Sequence, residues 1–166
     1  MFSRELLEKA TRILRLCDKA GLRLVTAESC TGGLLSACLT AIPGASNLLD
    51  HGFVTYSNAS KVALLGVPEA LFESAGAVSE ETARAMAEGA LAGTGVDLAV
   101  AITGVAGPEG GTPEKPVGLV HVAVAAHGLE TLHARHIFQG DRAAIRVQCV
   151  HAAIDLLIKQ VKRRLA

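Results

Sequence analysis

Apolar residues recur along the chain with two periods, and the switches between them mark the elements. Residues 3–20 place Leu6, Leu7, Ala10, Ile13, Leu14 and Cys17 at helical spacing. Ser3 can cap that helix and Gly21 can stop it. Residues 22–27 form a short apolar run, read as a strand. It ends in Glu28-Ser29-Cys30-Thr31-Gly32-Gly33, where a small-residue helix over 32–41 begins; Pro43-Gly44 halts it. Residues 51–57 read as a second strand. Asn58 is the expected cap of a short helix over 59–65, and Pro68 the expected first residue of another over 68–75. Ser79-Glu80-Glu81 opens an alanine-rich helix over 79–92, with its acids at the positive end. Residues 97–103 are nearly all apolar, as in a strand buried on both faces. A loop rich in Gly and Pro follows over 104–116. Residues 117–126 and 129–138 read as strands of a hairpin turned by His127-Gly128. Asp141 is an apt N-cap for a last helix over 142–164, with an inner stripe expected at Ile145, Cys149, Ala152, Leu156 and the stem of Lys159.

Strands alternating with helices imply an α/β sandwich whose sheet is parallel in part, with an antiparallel pair near residue 127. One domain over residues 1–166 is expected. Ligands in such sheets bind outside the carboxyl ends of the strands. Segments 28–33, 56–61, 103–116 and 139–146 are the candidates for that edge.

Charge and composition narrow the function classes. Lysine plus arginine and aspartate plus glutamate both number 16, so the formal net charge is zero. That balance and the absence of an aromatic platform argue against nucleic acid as a partner. The basic cluster Lys159, Lys162, Arg163 and Arg164 suits a helix C-terminus. Four scattered cysteines without a C-x-x-C pair, and no signal peptide, read as reduced thiols in a cytoplasmic protein. No apolar run approaches the ~18 residues of a membrane span. His133 and His136 fall on opposite faces of a strand, and His121 and His127 lack a ligand-spaced partner, so no metal site is expected. High alanine and aliphatic content leaves room for a homo-oligomer.

The 28–33 turn holds a hydroxyl at a strand end beside backbone N–H groups that lack intrahelical partners. Ser29 is either a helix-capping serine, part of an anion cradle, or a nucleophile with oxyanion donors from Cys30, Thr31, Gly32 and Gly33. No G-x-S-x-G elbow and no Walker loop is present. A nucleophilic serine needs a base, and Lys61, early in a helix, is the candidate, with Tyr56 beside it. The alternative is a core Tyr56 and a surface Lys61. Cys30 is a rival nucleophile of lower rank. Glu28 is positioned to orient Lys61 or a substrate group. Gly104, Gly107, Gly110 and Gly111 let backbone approach a ligand, or simply shape a surface loop. Arg142 and Arg146 are four apart at a helix start: a phosphate site, or an exposed pair.

Thr-Ala-Glu-Ser-Cys-Thr-Gly-Gly at 26–33, Thr-Tyr-Ser-Asn-Ala-Ser-Lys at 55–61 and Thr-Gly-Val-Ala-Gly-Pro at 103–108 resemble the CinA C-terminal domain family. So do Gly-Gly-Thr-Pro-Glu-Lys-Pro-Val-Gly at 110–118 and Gly-Asp-Arg at 140–142. The resemblance runs through nearly the whole chain. It implies a three-layer α/β/α sandwich. It also implies the activity of the family's stand-alone members, which hydrolyse the carboxamide of nicotinamide mononucleotide to nicotinate mononucleotide and ammonia in pyridine nucleotide recycling. Carried over by motif, the family's serine, tyrosine and lysine fall on Ser29, Tyr56 and Lys61. Its substrate-proximal threonine falls on Thr103. Gly104, Gly107, Gly111, Thr112 and Arg142 are expected at the phosphate or ribose. The resemblance implies no metal or redox cofactor. The pyrophosphatase domain of larger members has no counterpart here, so that activity is not expected. The competing reading is a non-catalytic module that binds a nucleotide and acts through partners.

Overall fold

The computed structural model describes residues 1–166. In chain order its elements are α1 (Arg4–Ala20), β1 (Leu24–Glu28), α2 (Leu34–Thr40), β2 (Leu49–Val54), α3 (Asn58–Leu65), α4 (Ala70–Ser74), α5 (Glu80–Thr94), β3 (Leu98–Gly104), β4 (Leu119–Ala126), β5 (Leu129–Ile137) and α6 (Arg142–Leu165). A single 3₁₀ turn, Ala45–Asn47, precedes β2. The strands form one mixed sheet in the order β2-β1-β3-β4-β5. β1 is parallel to both β2 and β3, whereas β3–β4 and β4–β5 are antiparallel.

Alternation along the strands divides the core between two helical layers. Leu24, Leu98, Val100, Ile102, Val120, Val122 and Val124 face α1, α2 and α6. Their neighbours Val25, Ala27, Ala99, Ala101, Ala123 and Ala125 face α5 and the end of α3. Each fully buried Leu, Val or Ile contributes about 1.5–3 kcal/mol, so the first face carries most of the hydrophobic stabilisation. The alanine face lets α5 sit close to the sheet. The result is the α/β/α sandwich the sequence implied, with β3 buried along Leu98–Thr103 and β4 throughout.

Several boundaries differ for local reasons. Ser57, not Asn58, caps α3: its hydroxyl accepts from the Ser60 N–H at 3.1 Å, and Asn58 is already helical. Pro68 lies before α4, which starts only at Ala70. β2 begins at Leu49 because Leu24 N–H bonds the carbonyl of Leu48, drawing the strand into register early. Ile145, Cys149 and Leu156 are buried as expected, and the inner face of α6 also takes in Val150, Ala153, Ile154, Leu157, Ile158, Gln160 and Val161. Ala152 is only half-buried and Lys159 is exposed. The helix is wedged between α1 and the sheet, so its buried face is wider than one stripe. His121 does have a partner: its Nδ1 lies 2.9 Å from Nε2 of His133, diagonally across the β4–β5 hairpin.

Candidate active site

The three parallel strands end at one edge. The chain leaves β1 into α2 on one face of the sheet and leaves β2 into α3 on the other. In the strand order β2-β1-β3 the chain turns back across β1, so the crevice in which open α/β sheets bind ligands is expected at the carboxyl end of β1, beside β3. Ser29 stands there, its N–H still tied to the Ile102 carbonyl at 3.0 Å. Thr55 continues β2 on the other side, its N–H tied to the Glu28 carbonyl at 2.9 Å.

Lys61, on the second turn of α3, reaches back across this crevice. Its Nζ is 3.0 Å from Ser29 Oγ, 2.7 Å from the Thr55 carbonyl oxygen and 3.5 Å from that of Tyr56. The side chain is 1 % exposed. No carboxylate neutralises it. Burial pushes its pKa below the ordinary lysine value, and charge on Cys30 acts weakly in the opposite sense. Nζ donates to the two carbonyls and to Ser29 Oγ; once it has lost its proton, the same 3.0 Å contact can offer a lone pair to the Ser29 hydroxyl.

Glu28 does not orient Lys61. Its carboxylate is fully buried and accepts from Leu35 N–H (3.0 Å), Ser36 N–H (2.9 Å) and Ser36 Oγ–H (2.9 Å). It closes the N-terminus of α2, where free N–H groups and the helix dipole favour a negative charge. Those donors are thereby removed from the crevice. In the turn itself, Gly32 N–H bonds the Ser29 carbonyl, whereas Thr31 and Gly33 N–H have no acceptor in the chain. Gly32 and Gly33 take φ of 57° and 95°, a region that L side chains disfavour. Cys30 is buried, and its sulfur accepts from Cys149; that bond lowers its pKa while burial raises it, and the Cys149 thiol is pushed up.

The two arginines divide. Arg146 binds inward, to the carbonyls of Cys30 and Thr31 at 3.2 and 2.7 Å, so its guanidinium is already committed. Arg142 stays at the exposed rim, donating to Tyr56 Oη and to the Gly107 carbonyl, each at 2.8 Å. Tyr56 is 59 % exposed; it is neither core nor interposed between Ser29 and Lys61.

Thr103 is buried beside this edge, and its hydroxyl donates to the Ala77 carbonyl at 2.7 Å. The loop glycines have packing reasons of their own. A Cβ on Gly104 would lie 2.8 Å from the Leu119 carbonyl oxygen, and one on Gly107 would lie 2.5 Å from Val117 Cγ1. One on Gly111 would lie 2.9 Å from the Val117 nitrogen. Thr112 closes a small turn with Lys115. Only Gly107, through Arg142, is joined to the Tyr56 rim. The largest cleft, about 860 Å³, runs along α1 past Leu7, Arg12 and Arg15 and shares no residue with this site.

Two features escape sequence reasoning. The Thr55 carbonyl holds the amine of Lys61, a role any residue type could fill. Thr31 and Thr55 also bury hydroxyls without a partner, which only the tertiary environment reveals.

Residues 7–161 match the model of the CinA C-terminal domain. The chain belongs to that family. It is 48 % identical over 150 residues to the nicotinamide-nucleotide amidohydrolase PncC of Pseudomonas putida, covering 90 % of this chain and 93 % of that one. It is 53 % identical over 138 residues to a CinA-like protein of Anaeromyxobacter dehalogenans, covering 82 % of this chain but only 33 % of that relative. The chain thus spans about a third of the length of several curated relatives it matches. Among solved structures, the competence/damage inducible protein CihA from Agrobacterium tumefaciens superposes with a TM-score of 0.94 at 45 % identity, covering 96 % of this chain and 97 % of that one. No helix of this CinA-family chain is long and apolar enough to cross a membrane.

Proposed function

We propose that the chain hydrolyses the carboxamide of nicotinamide mononucleotide to nicotinate mononucleotide and ammonia, as a step of pyridine nucleotide recycling. Ser29 is the nucleophile and neutral Lys61 its base. The observation that carries this reading is the 3.0 Å approach of a buried, uncompensated amine to Ser29 Oγ. The Pseudomonas putida relative, matched over nearly its full length, supplies the substrate.

Ser29 Oγ attacks the carboxamide carbon while its proton passes directly to Lys61 Nζ. No relay through Tyr56 is needed, because Nζ meets Ser29 Oγ directly at 3.0 Å while Tyr56 Oη accepts from Arg142 at the rim. Free N–H groups of the 30–33 turn receive the oxyanion. Lys61 returns the proton to the leaving nitrogen, and ammonia departs. Water then attacks the ester, giving its proton to Lys61, and the nicotinate product leaves as Ser29 is reprotonated. The positive pyridinium ring withdraws electrons and favours both attacks. Tyr56 and Arg142 at the rim suit the ribose phosphate, the guanidinium pairing with its charge.

The test is ammonia release from nicotinamide mononucleotide by wild type and by Ser29→Ala. Wild-type turnover with loss of at least about 10³-fold in the variant is expected. Near-full turnover by Ser29→Ala removes the nucleophile assignment. Binding without any ammonia release by the wild type favours the non-catalytic module. Faster turnover of nicotinamide riboside than of the mononucleotide removes the phosphate contact.

A further inference from the structure

Arg146 reaches from the first turns of α6 to the serine turn without touching Ser29 Oγ or Lys61. Its Nε–H donates to the Cys30 carbonyl at 3.2 Å and its Nη2–H to the Thr31 carbonyl at 2.7 Å. The helix beneath it is firmly seated: Ile145 is 1 % exposed and Cys149 is fully buried. The guanidinium is thus a rigid fork held on a rigid element, gripping two successive peptide units.

A trans peptide directs its C=O and N–H to opposite sides. Holding the Cys30 carbonyl toward α6 therefore turns the N–H of Thr31 to the opposite side. That N–H has no acceptor within the chain. The next peptide behaves differently: its carbonyl is held by Arg146, while Gly32 N–H is taken up by the Ser29 carbonyl at 3.0 Å. An unpartnered donor two residues after the nucleophile carries a desolvation cost in the free protein. It repays that cost only when an acceptor arrives. Without the arginine, the Cys30 carbonyl beside a buried turn would lack a donor and the Thr31 carbonyl would keep only the Leu34 N–H at 3.1 Å, so the turn, pivoting on Gly32 and Gly33, could rotate to relieve the loss.

We propose that Arg146 is a positioning residue: by fixing the Cys30 and Thr31 carbonyls it presents the Thr31 N–H to the oxyanion formed when Ser29 is acylated. This inference rests on the serine-nucleophile reading above. It separates the roles of two arginines one helical turn apart, with Arg142 serving substrate affinity and Arg146 serving the reaction step. Lysine cannot replace Arg146, since a single ammonium cannot reproduce the planar two-carbonyl fork.

The test compares wild type, Arg146→Lys and Arg146→Ala, all full-length. Three quantities are measured: kcat and KM for nicotinamide mononucleotide, the rate at which a fluorophosphonate labels Ser29 by mass spectrometry, and rescue of Arg146→Ala by added ethylguanidinium. Labelling needs oxyanion stabilisation but not the nucleotide, so it is independent of the substrate assignment. Both variants are expected to lose on the order of 10²-fold in kcat and in labelling rate, with KM nearly unchanged, and ethylguanidinium should restore part of both rates in Arg146→Ala. Wild-type rates in either variant overturn the inference. So does a loss that ethylguanidinium does not relieve and that follows the drop in melting temperature, because that pattern is a fold defect. A wild type that is neither labelled at Ser29 nor active overturns the serine reading and this inference together. A wild type that is labelled but inactive on the mononucleotide, with labelling slowed in both variants, upholds the role of Arg146 and removes only the substrate.

Discussion

Gly89 of α5 and the carbonyl of Leu65 at the end of α3 are in such close contact that a Cβ on Gly89 would lie 1.7 Å from the Leu65 oxygen. This contact seats the helix that carries Lys61, and so sets how far the amine reaches. Alanine in a helix interior is favoured over glycine by roughly 0.5–1 kcal/mol. Overpacking against a backbone carbonyl costs about 1–3 kcal/mol, so the clash wins. Gly89→Ala is expected to lower stability in urea unfolding and to reduce kcat as α3 shifts outward. A more stable, fully active variant would refute this account of the contact.

Lys61→Met separates catalysis from folding. Turnover should fall at least about 10³-fold, while the hydrophobic stem is kept. The pH dependence gives a sharper check. The folded state holds the Lys61 pKa below its unfolded value. Between those two values the unfolded chain binds more protons, so wild-type stability rises with pH across that window. The rise levels off above the unfolded value. Lys61→Met should lack this component in pH-dependent unfolding, and wild-type kcat/KM should climb with pH as the amine loses its proton. Superimposable stability profiles for the two proteins would contradict a depressed Lys61.

Glu28→Gln tests the helix closure. The amide can accept at one oxygen only, so at least one of the three donors facing the carboxylate is stranded. A buried donor left unsatisfied costs about 1–3 kcal/mol, more beside a lost charge. A drop in melting temperature is expected, with any rate loss following the folded fraction. A variant of wild-type stability whose pH–rate profile has moved would instead place Glu28 in the proton chemistry.

The His121–His133 pair predicts an acid limit. Burial, reinforced by His133, Arg135 and Lys115 and opposed by Glu80, holds His121 down at about 4. Its folded pKa lies below the unfolded one, so stability is complete above about pH 6.5 and declines as the pH falls toward 4. The loss at that single site is on the order of 2 kcal/mol after allowance for solvent screening. His121→Phe should flatten the decline in acid unfolding curves; an unchanged curve counts against the site.

Arg142→Ala should raise KM for nicotinamide mononucleotide about tenfold, the scale of one charge-assisted contact, and leave KM for the riboside nearly unaltered. Equal effects on both substrates would place the arginine away from the phosphate.

The helices, the hairpin and the two-sided burial of β3 were legible because each rests on local information: period, cap and turn residues. Ser3, Ser79 and Asp141 all cap where a short polar side chain precedes a helical pattern. Local pattern gives way where tertiary packing competes with it. Periodicity gives α6 a single stripe, whereas its second buried ridge depends on α1 and the sheet lying on either side. Spacing along the chain gives His121 no partner, because His133 is brought to it by hairpin register.

The candidate site divides the same way. Sequence alone determined the serine turn, the candidacy of Lys61 and the likeness to a family, since motif content and order need no coordinates. Only the tertiary structure decided what each charged group does. Glu28 turned to α2, Arg146 to the turn carbonyls, Arg142 to the rim and Lys61 to Ser29. A side chain's residue type sets which bonds it can make, but its partner is whatever the fold brings within about 3 Å, and that depends on strand order and helix seating from distant parts of the chain.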